Sequence, residues 1–88
     1  MRSKDEILRW VVGTLTSEFQ LRAEDLHPGA HLVDDLDLDS IDLVDLAVSL
    51  EEETGLKLSE DDLKSVRTVG DAVEAIRAAL ARSAAGTR

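Results

Sequence analysis

The chain is predicted to be all-α, a small four-helix bundle of three longer helices plus one short third helix, with a long loop between helices one and two. Three observations predict it. Apolar residues recur at helical spacing in the longer helical segments. Ser3, Ser59 and Thr68 each stand three residues before an acid, the pattern of a capping box. And 88 residues with only 2% aromatics, Trp10 and Phe19, make one small domain whose single core must be aliphatic.

The elements follow in order. Ser3 and Glu6 open helix one, about Lys4 to Phe19, with Ile7, Leu8, Val11, Val12, Leu15 and Phe19 on its apolar side. A long loop follows, broken at His27-Pro28-Gly29. Leu26, Leu32, Val33 and Leu36 are too apolar for free coil, so they are expected to pin this loop to the bundle. Loops of this length are uncommon and often functional. Helix two is expected over Ser40 to Thr54. It has acids in its first turn, then Leu43, Val44, Leu46, Ala47, Val48 and Leu50, and Gly55 as its stop. Ser59 to Asp62 opens a short third helix around Leu63. Thr68 and Asp71 open a fourth, through Ala72, Val73, Ile76, Ala79 and Leu80. The domain is expected to span residues 1–82. Residues 83–88, small and polar, read as a disordered tail. There is no internal repeat and no low-complexity tract.

Composition narrows the function. Without cysteine there is no disulfide, thiolate zinc site or cysteine nucleophile, so any thiol chemistry must arrive on a cofactor. Lys4, Asp5, Glu6 and Arg9 interrupt every apolar run near the N-terminus, and no segment is long enough to span a bilayer. A cytoplasmic protein without membrane insertion is the expectation. Net charge is -9, and it is uneven: residues 34–62 hold twelve acids against Lys57 alone. Such a surface repels nucleic acid and anionic lipid, and attracts basic patches on partner proteins. Solubility alone explains a negative total, but not its concentration around one serine.

That serine is Ser40, in Asp37-Leu38-Asp39-Ser40-Ile41-Asp42-Leu43-Val44. Its hydroxyl is expected to be exposed at a helix start, and no base in sequence is placed to make it attack. It reads as a residue that is modified. Here the chain resembles the acyl carrier proteins, whose hallmark is Asp-Ser-Leu or Asp-Ser-Ile opening the second helix. The resemblance runs from about Asp5 to Ala81. It includes Leu32-Val33-Asp34-Asp35-Leu36 upstream and Thr68-Val69-Gly70-Asp71-Ala72-Val73 downstream. Asp-Ser-Ile alone is a weak signal; three blocks in this order are a strong one.

The resemblance implies a non-catalytic carrier with a covalent 4'-phosphopantetheine arm, derived from CoA, on Ser40. It implies that Asp39 is associated with the Mg²⁺ used by a phosphopantetheinyl transferase. It implies a partner-recognition face of Asp39, Ile41, Val44, Asp45, Val48, Glu51 and Glu52. The expected partners are the transferase, then a ketosynthase, an acyltransferase and other biosynthetic enzymes with basic docking patches, met by a monomer. The residues suit this, with small apolar anchors inside an acidic rim. Against it, Asp39 could be a plain N-cap and Val48 plain core. The four-helix core, being aliphatic, could also open to admit a hydrocarbon chain.

Leu36-Asp37-Leu38-Asp39-Ser40 places Asp37 where housekeeping fatty-acid carriers carry glycine. Together with Val66-Arg67-Thr68-Val69 it resembles stand-alone carriers of specialised pathways, such as aryl-polyene or other polyketide-like synthesis. The start at Met1 and the short tail favour a free-standing protein. A peptidyl or aryl carrier of the same fold stays open, as does an unmodified acidic helical adaptor. Two enzyme-like or metal readings fail. Asp35-x-Asp37-x-Asp39 imitates an EF-hand start, but Ser40 and Leu46 occupy the positions that need glycine and glutamate. A serine hydrolase lacks the Gly-x-Ser-x-Gly elbow, and His27 and His31 both lie in the loop. Salt is expected to stabilise the acidic domain, and Mg²⁺ or Ca²⁺ more so if Asp35, Asp39 and Asp42 converge.

Overall fold

Each helix of the computed structural model, which describes the backbone of residues 3–86 and side chains of 3–82, starts where a short polar side chain reaches forward to an amide. Helix α1 (Lys4–Glu18) is capped by Ser3, helix α2 (Ser40–Thr54) by Asp39, and helix α3 (Glu60–Lys64) by Ser59. Helix α4 (Val69–Gly86) is entered from Thr68. At all four starts the exchange is reciprocal, with the acid three residues on accepting from the capping residue's own N–H. The pairs are Ser3–Glu6, Asp39–Asp42, Ser59–Asp62 and Thr68–Asp71. Two amides otherwise without acceptors are thus satisfied at each start.

The helix stops are equally local. Gly55 takes φ +77 beyond α2, and its N–H reaches Glu51 O at 2.8 Å. Glycine adopts this left-handed conformation at no steric cost. Helix α1 ends one residue before the expected Phe19, which becomes its C-cap, and the chain turns away through Gln20 at φ 57. Helix α4 continues four residues past the expected domain end at 82. Residues 87–88 of the expected tail lie outside the described residues.

The core is aliphatic, as the composition requires. Ile7, Val11 and Leu15 of α1 meet Val69, Ala72, Val73, Ile76 and Ala79 of α4, and α2 contributes Leu43, Leu46 and Leu50. These sets recur at three- and four-residue steps, so each helix buries one face. Two ties add to the α1–α2 contact: Trp10 Nε1 donates to Glu53, and Ser49 Oγ donates to Glu18 at 2.8 Å.

The long loop is packed rather than free. It holds one 3-10 turn, Ala23–Asp25, and buries Leu26, Ala30, Leu32, Leu36 and Leu38. Its backbone is joined to the approach to α4. Leu32 N–H donates to Arg67 O (2.8 Å), Val69 N–H to Ala30 O (3.0 Å), and Gly70 N–H to Pro28 O (2.9 Å). A Cβ at position 70 would stand 3.1 Å from the Pro28 carbonyl oxygen, so the close approach suits glycine. One expectation is corrected. Val33 does not pin the loop; it is 47% exposed. His31 O accepts from both Asp35 and Leu36, turning the chain so that Val33 lies outside while Leu38 N–H returns to Leu32 O. Leu38, not Val33, takes the buried place.

Candidate functional site

Ser40 is the first residue of α2, one position after the Asp39 cap. It is exposed, and no hydrogen bond of its hydroxyl is found among the described residues. The cap draws the Asp39 carboxylate back onto the helix: Asp39 Oδ1 accepts from Asp42 N–H at 3.0 Å, and Asp42 Oδ2 from Asp39 N–H at 3.1 Å. The amides of Ser40 and Ile41 keep no acceptor among the described residues. A helix N-terminus carries roughly half a positive charge, so the position favours an attached anion. The approach to Ser40 is shaped by Asp37, at φ 57. Left-handed backbone of this kind favours glycine, and aspartate is among the few side chains that tolerate it. Asp37 is thus compatible with the turn that glycine would also make there.

Among the described residues no histidine is hydrogen-bonded to Ser40. His31 serves its own turn, with Nδ1 accepting from Asp34 N–H at 3.2 Å, and His27 is exposed. The acids also do not gather. Asp35 accepts from His31 N–H at 2.8 Å, while Asp39 and Asp42 are turned to each other's backbone. Among the described residues no cluster of three or more His, Asp or Glu could hold a metal ion. Asp35, Asp39 and Asp42 form no such cluster, and each carboxylate is used by a local backbone N–H.

The second face of α2 is exposed. Ile41 is 70% exposed, Val44 49% and Val48 47%. Val48 is thus not core. Asp45, Glu51 and Glu52 are exposed beside them, with no partner among the described residues, whereas Glu53 is engaged by Trp10. Two open recesses flank this face, each of about 250 Å³. One joins Ser40, Leu43 and Val44 to Glu60, Leu63 and Lys64 of α3. The other lies along Val44, Val48, Glu51, Lys57 and Leu58. Glu60, Leu63 and Lys64 carried no signal in the sequence, since only the fold sets α3 beside the start of α2. Inside the bundle, Trp10, Leu43, Leu46, Leu50 and Ile76 border a gap of about 10 Å³. That is room for about one water molecule, so the core is closed to a hydrocarbon chain in this conformation.

Among the described residues, no helix is long and apolar enough to cross a membrane. Comparison with known proteins agrees with the geometry. The family described as "Phosphopantetheine attachment site" matches residues 9–76. Acyl carrier protein 2 of Ralstonia nicotianae is 43% identical over 79 residues, covering 90% of this chain and 98% of that protein. The acyl carrier protein of Acidothermus cellulolyticus is 36% identical over 74 residues, covering 84% and 88%. A solved acyl carrier protein from Enterococcus faecalis superposes with a TM-score of 0.71 at 31% identity, covering 89% of this chain and 98% of that one.

Proposed function

We propose, from the premise that this chain belongs to the acyl carrier protein family, that Ser40 is its point of attachment and α2 its docking face. As a member the chain is a non-catalytic carrier, modified by a phosphopantetheinyl transferase and bearing covalent 4'-phosphopantetheine. The observation that carries the assignment to Ser40 is its exposed, unbonded hydroxyl at the first position of α2.

In the transferase reaction Ser40 Oγ displaces adenosine 3',5'-bisphosphate from the pyrophosphate of CoA, loses its proton and becomes the ester oxygen of a phosphodiester. The free amides of Ser40 and Ile41 face the added negative charge, and the Asp39–Asp42 exchange fixes the helix end that carries it. Asp39 keeps a second role in the transferase reaction, since its capping bond uses only Oδ1. When bound, the arm supplies a terminal thiol that holds an acyl group as an activated thioester. Ile41, Val44 and Val48 then seat on an apolar patch of each partner, while Asp45, Glu51 and Glu52 steer its basic rim. The tether raises the effective concentration of the acyl group at each partner enzyme.

The pathway is fatty-acid or polyketide-type biosynthesis in the cytoplasm, with Asp37 and the flanking blocks resembling those of specialised, polyketide-like carriers, and the carrier is a monomer that meets ketosynthase and acyltransferase partners. Treating the protein with CoA and a phosphopantetheinyl transferase and weighing the product tests the attachment. The expected result is one arm on the wild type and none on Ser40→Ala. An arm on the alanine variant would refute the assignment.

A further inference from the structure

We infer that Lys64 holds the phosphodiester of the arm, so that at rest the arm lies in the recess between α2 and α3. This rests on attachment at Ser40. The recess of about 250 Å³ is bordered by Ser40 at one side and Lys64 at another, with Leu43, Val44 and Leu63 as apolar wall and Glu60 beside them. A group bonded to Ser40 Oγ is therefore tethered at the recess itself, and its local concentration there is set by the tether rather than by diffusion.

The charges point the same way. A phosphodiester on Ser40 stands among Asp37, Asp39 and Asp42, which repel it. Residues 34–62 offer a single cation, Lys57, which lines the neighbouring recess and not the one that reaches Ser40. Among the described residues, Lys64 is the one cation bordering the Ser40 recess. It is exposed and makes no ion pair among the described residues. Glu60, one helical turn before it, is the competing anion on the same wall. A lysine ammonium is a compact point charge on a flexible stem, suited to pairing with a phosphate without fixed geometry. Lys64 is in these terms a positioning residue: it decides where the arm waits, not what the arm carries.

The test compares apo and holo protein for the wild type, Lys64→Gln and Glu60→Gln, after mass spectrometry has located the arm. The readouts are the ³¹P chemical shift of the holo protein and the apo-to-holo changes in backbone amide shifts. In the wild type, conversion is expected to move the amides of Leu63 and Lys64 as well as those of residues 39–42. The ³¹P shift is expected to change with NaCl from about 0.01 to about 1 M, as the Debye length falls from roughly 30 to 3 Å. Lys64→Gln should lose both effects, and Glu60→Gln should keep or enlarge them. An arm located on Ser40, with amide changes confined to residues 39–42 and the same ³¹P behaviour in wild type and Lys64→Gln, overturns this inference alone. An arm located elsewhere overturns it together with the assignment of Ser40.

Discussion

Asp39 holds two roles that a pair of substitutions separates. Asp39→Ala removes the acceptor for Asp42 N–H, a 3.0 Å bond. The reverse bond, from Asp39 N–H to Asp42 Oδ2 at 3.1 Å, survives because its donor is backbone. Half of the exchange is lost, so the cost belongs near the middle of the range for N-cap removal, about 1 kcal/mol. Removing one negative charge relieves repulsion within the acidic segment, but it also removes a favourable charge at a helix N-terminus, each worth a few tenths of a kcal/mol or somewhat more, so these contributions roughly offset. For a domain of this size, about 1 kcal/mol lowers the melting temperature by about 4–8 °C. Asp39→Asn keeps an oxygen that accepts from Asp42 N–H, and asparagine caps as well as aspartate. Its melting temperature should therefore stay much closer to that of the wild type. Thermal melts by circular dichroism read the first role, and the rate of loading with CoA and transferase reads the second. Both variants should load poorly if the carboxylate itself serves the transferase. A melting temperature for Asp39→Ala within about 1 °C of wild type would refute the capping argument. Wild-type loading by Asp39→Asn would leave Asp39 a cap and nothing more.

Three further outcomes are expected. Asp62 accepts from Ser59 N–H and from Arg82 (2.9 Å); chiefly the Ser59 amide, opposed by partial burial and aided by the Ser59 hydroxyl and Arg82, holds its carboxyl below the ordinary 3.8. Its unfolded form binds a proton more readily, so the stabilisation is complete above about pH 4 and disappears as pH falls through the lowered native value. The gap in melting temperature between wild type and Asp62→Asn should shrink as the pH is lowered below about 4, and a gap that does not narrow on acidification would contradict this. NaCl should raise the melting temperature, since screening relieves repulsion among the twelve acids of residues 34–62. With no carboxylate cluster among the described residues to bind it, MgCl₂ at matched ionic strength should do no better, and a clear excess for Mg²⁺ would reveal a site. Reversing Glu51 and Glu52 to lysine should slow association with the transferase and flatten its salt dependence, with unchanged melting behaviour; unaltered loading kinetics at low ionic strength would count against the docking face.

Much of this was legible because it is local. The helix starts depend on residues three apart, a pattern read at Ser3, Ser59 and Thr68, and the stop of α2 depends on one glycine. The Asp39–Asp42 exchange emerged only in the structure, although acids in the first turn already marked that start. The two faces of α2 were also separable, because Leu43, Leu46 and Leu50 share one stripe while Ile41, Val44 and Val48 share another. The loop was less legible. Hydrophobicity marks Val33 and Leu38 alike, and the choice between them is made by turns around His31 and by Asp37 at φ 57. Those turns have no periodicity to read. The recess at Ser40 was hidden for a related reason: Lys64 joins it through the packing of α3, and no spacing in the chain announces that meeting.

The backbone bonds from residues 28–32 to residues 67–70 also bear on the order of folding. Capping exchanges and helical turns can form within short stretches of chain, whereas these three bonds close a long span that includes all of α2 and α3. Such closure costs entropy before any contact repays it, although the cost grows only slowly with length. The loop that leads into Ser40 therefore takes its final shape only together with the entry to α4. A newly made chain can hold helical segments without yet presenting the serine in its final setting. Recognition that depends on that setting, rather than on the Asp-Ser-Ile sequence, would select completed chains over unfinished ones.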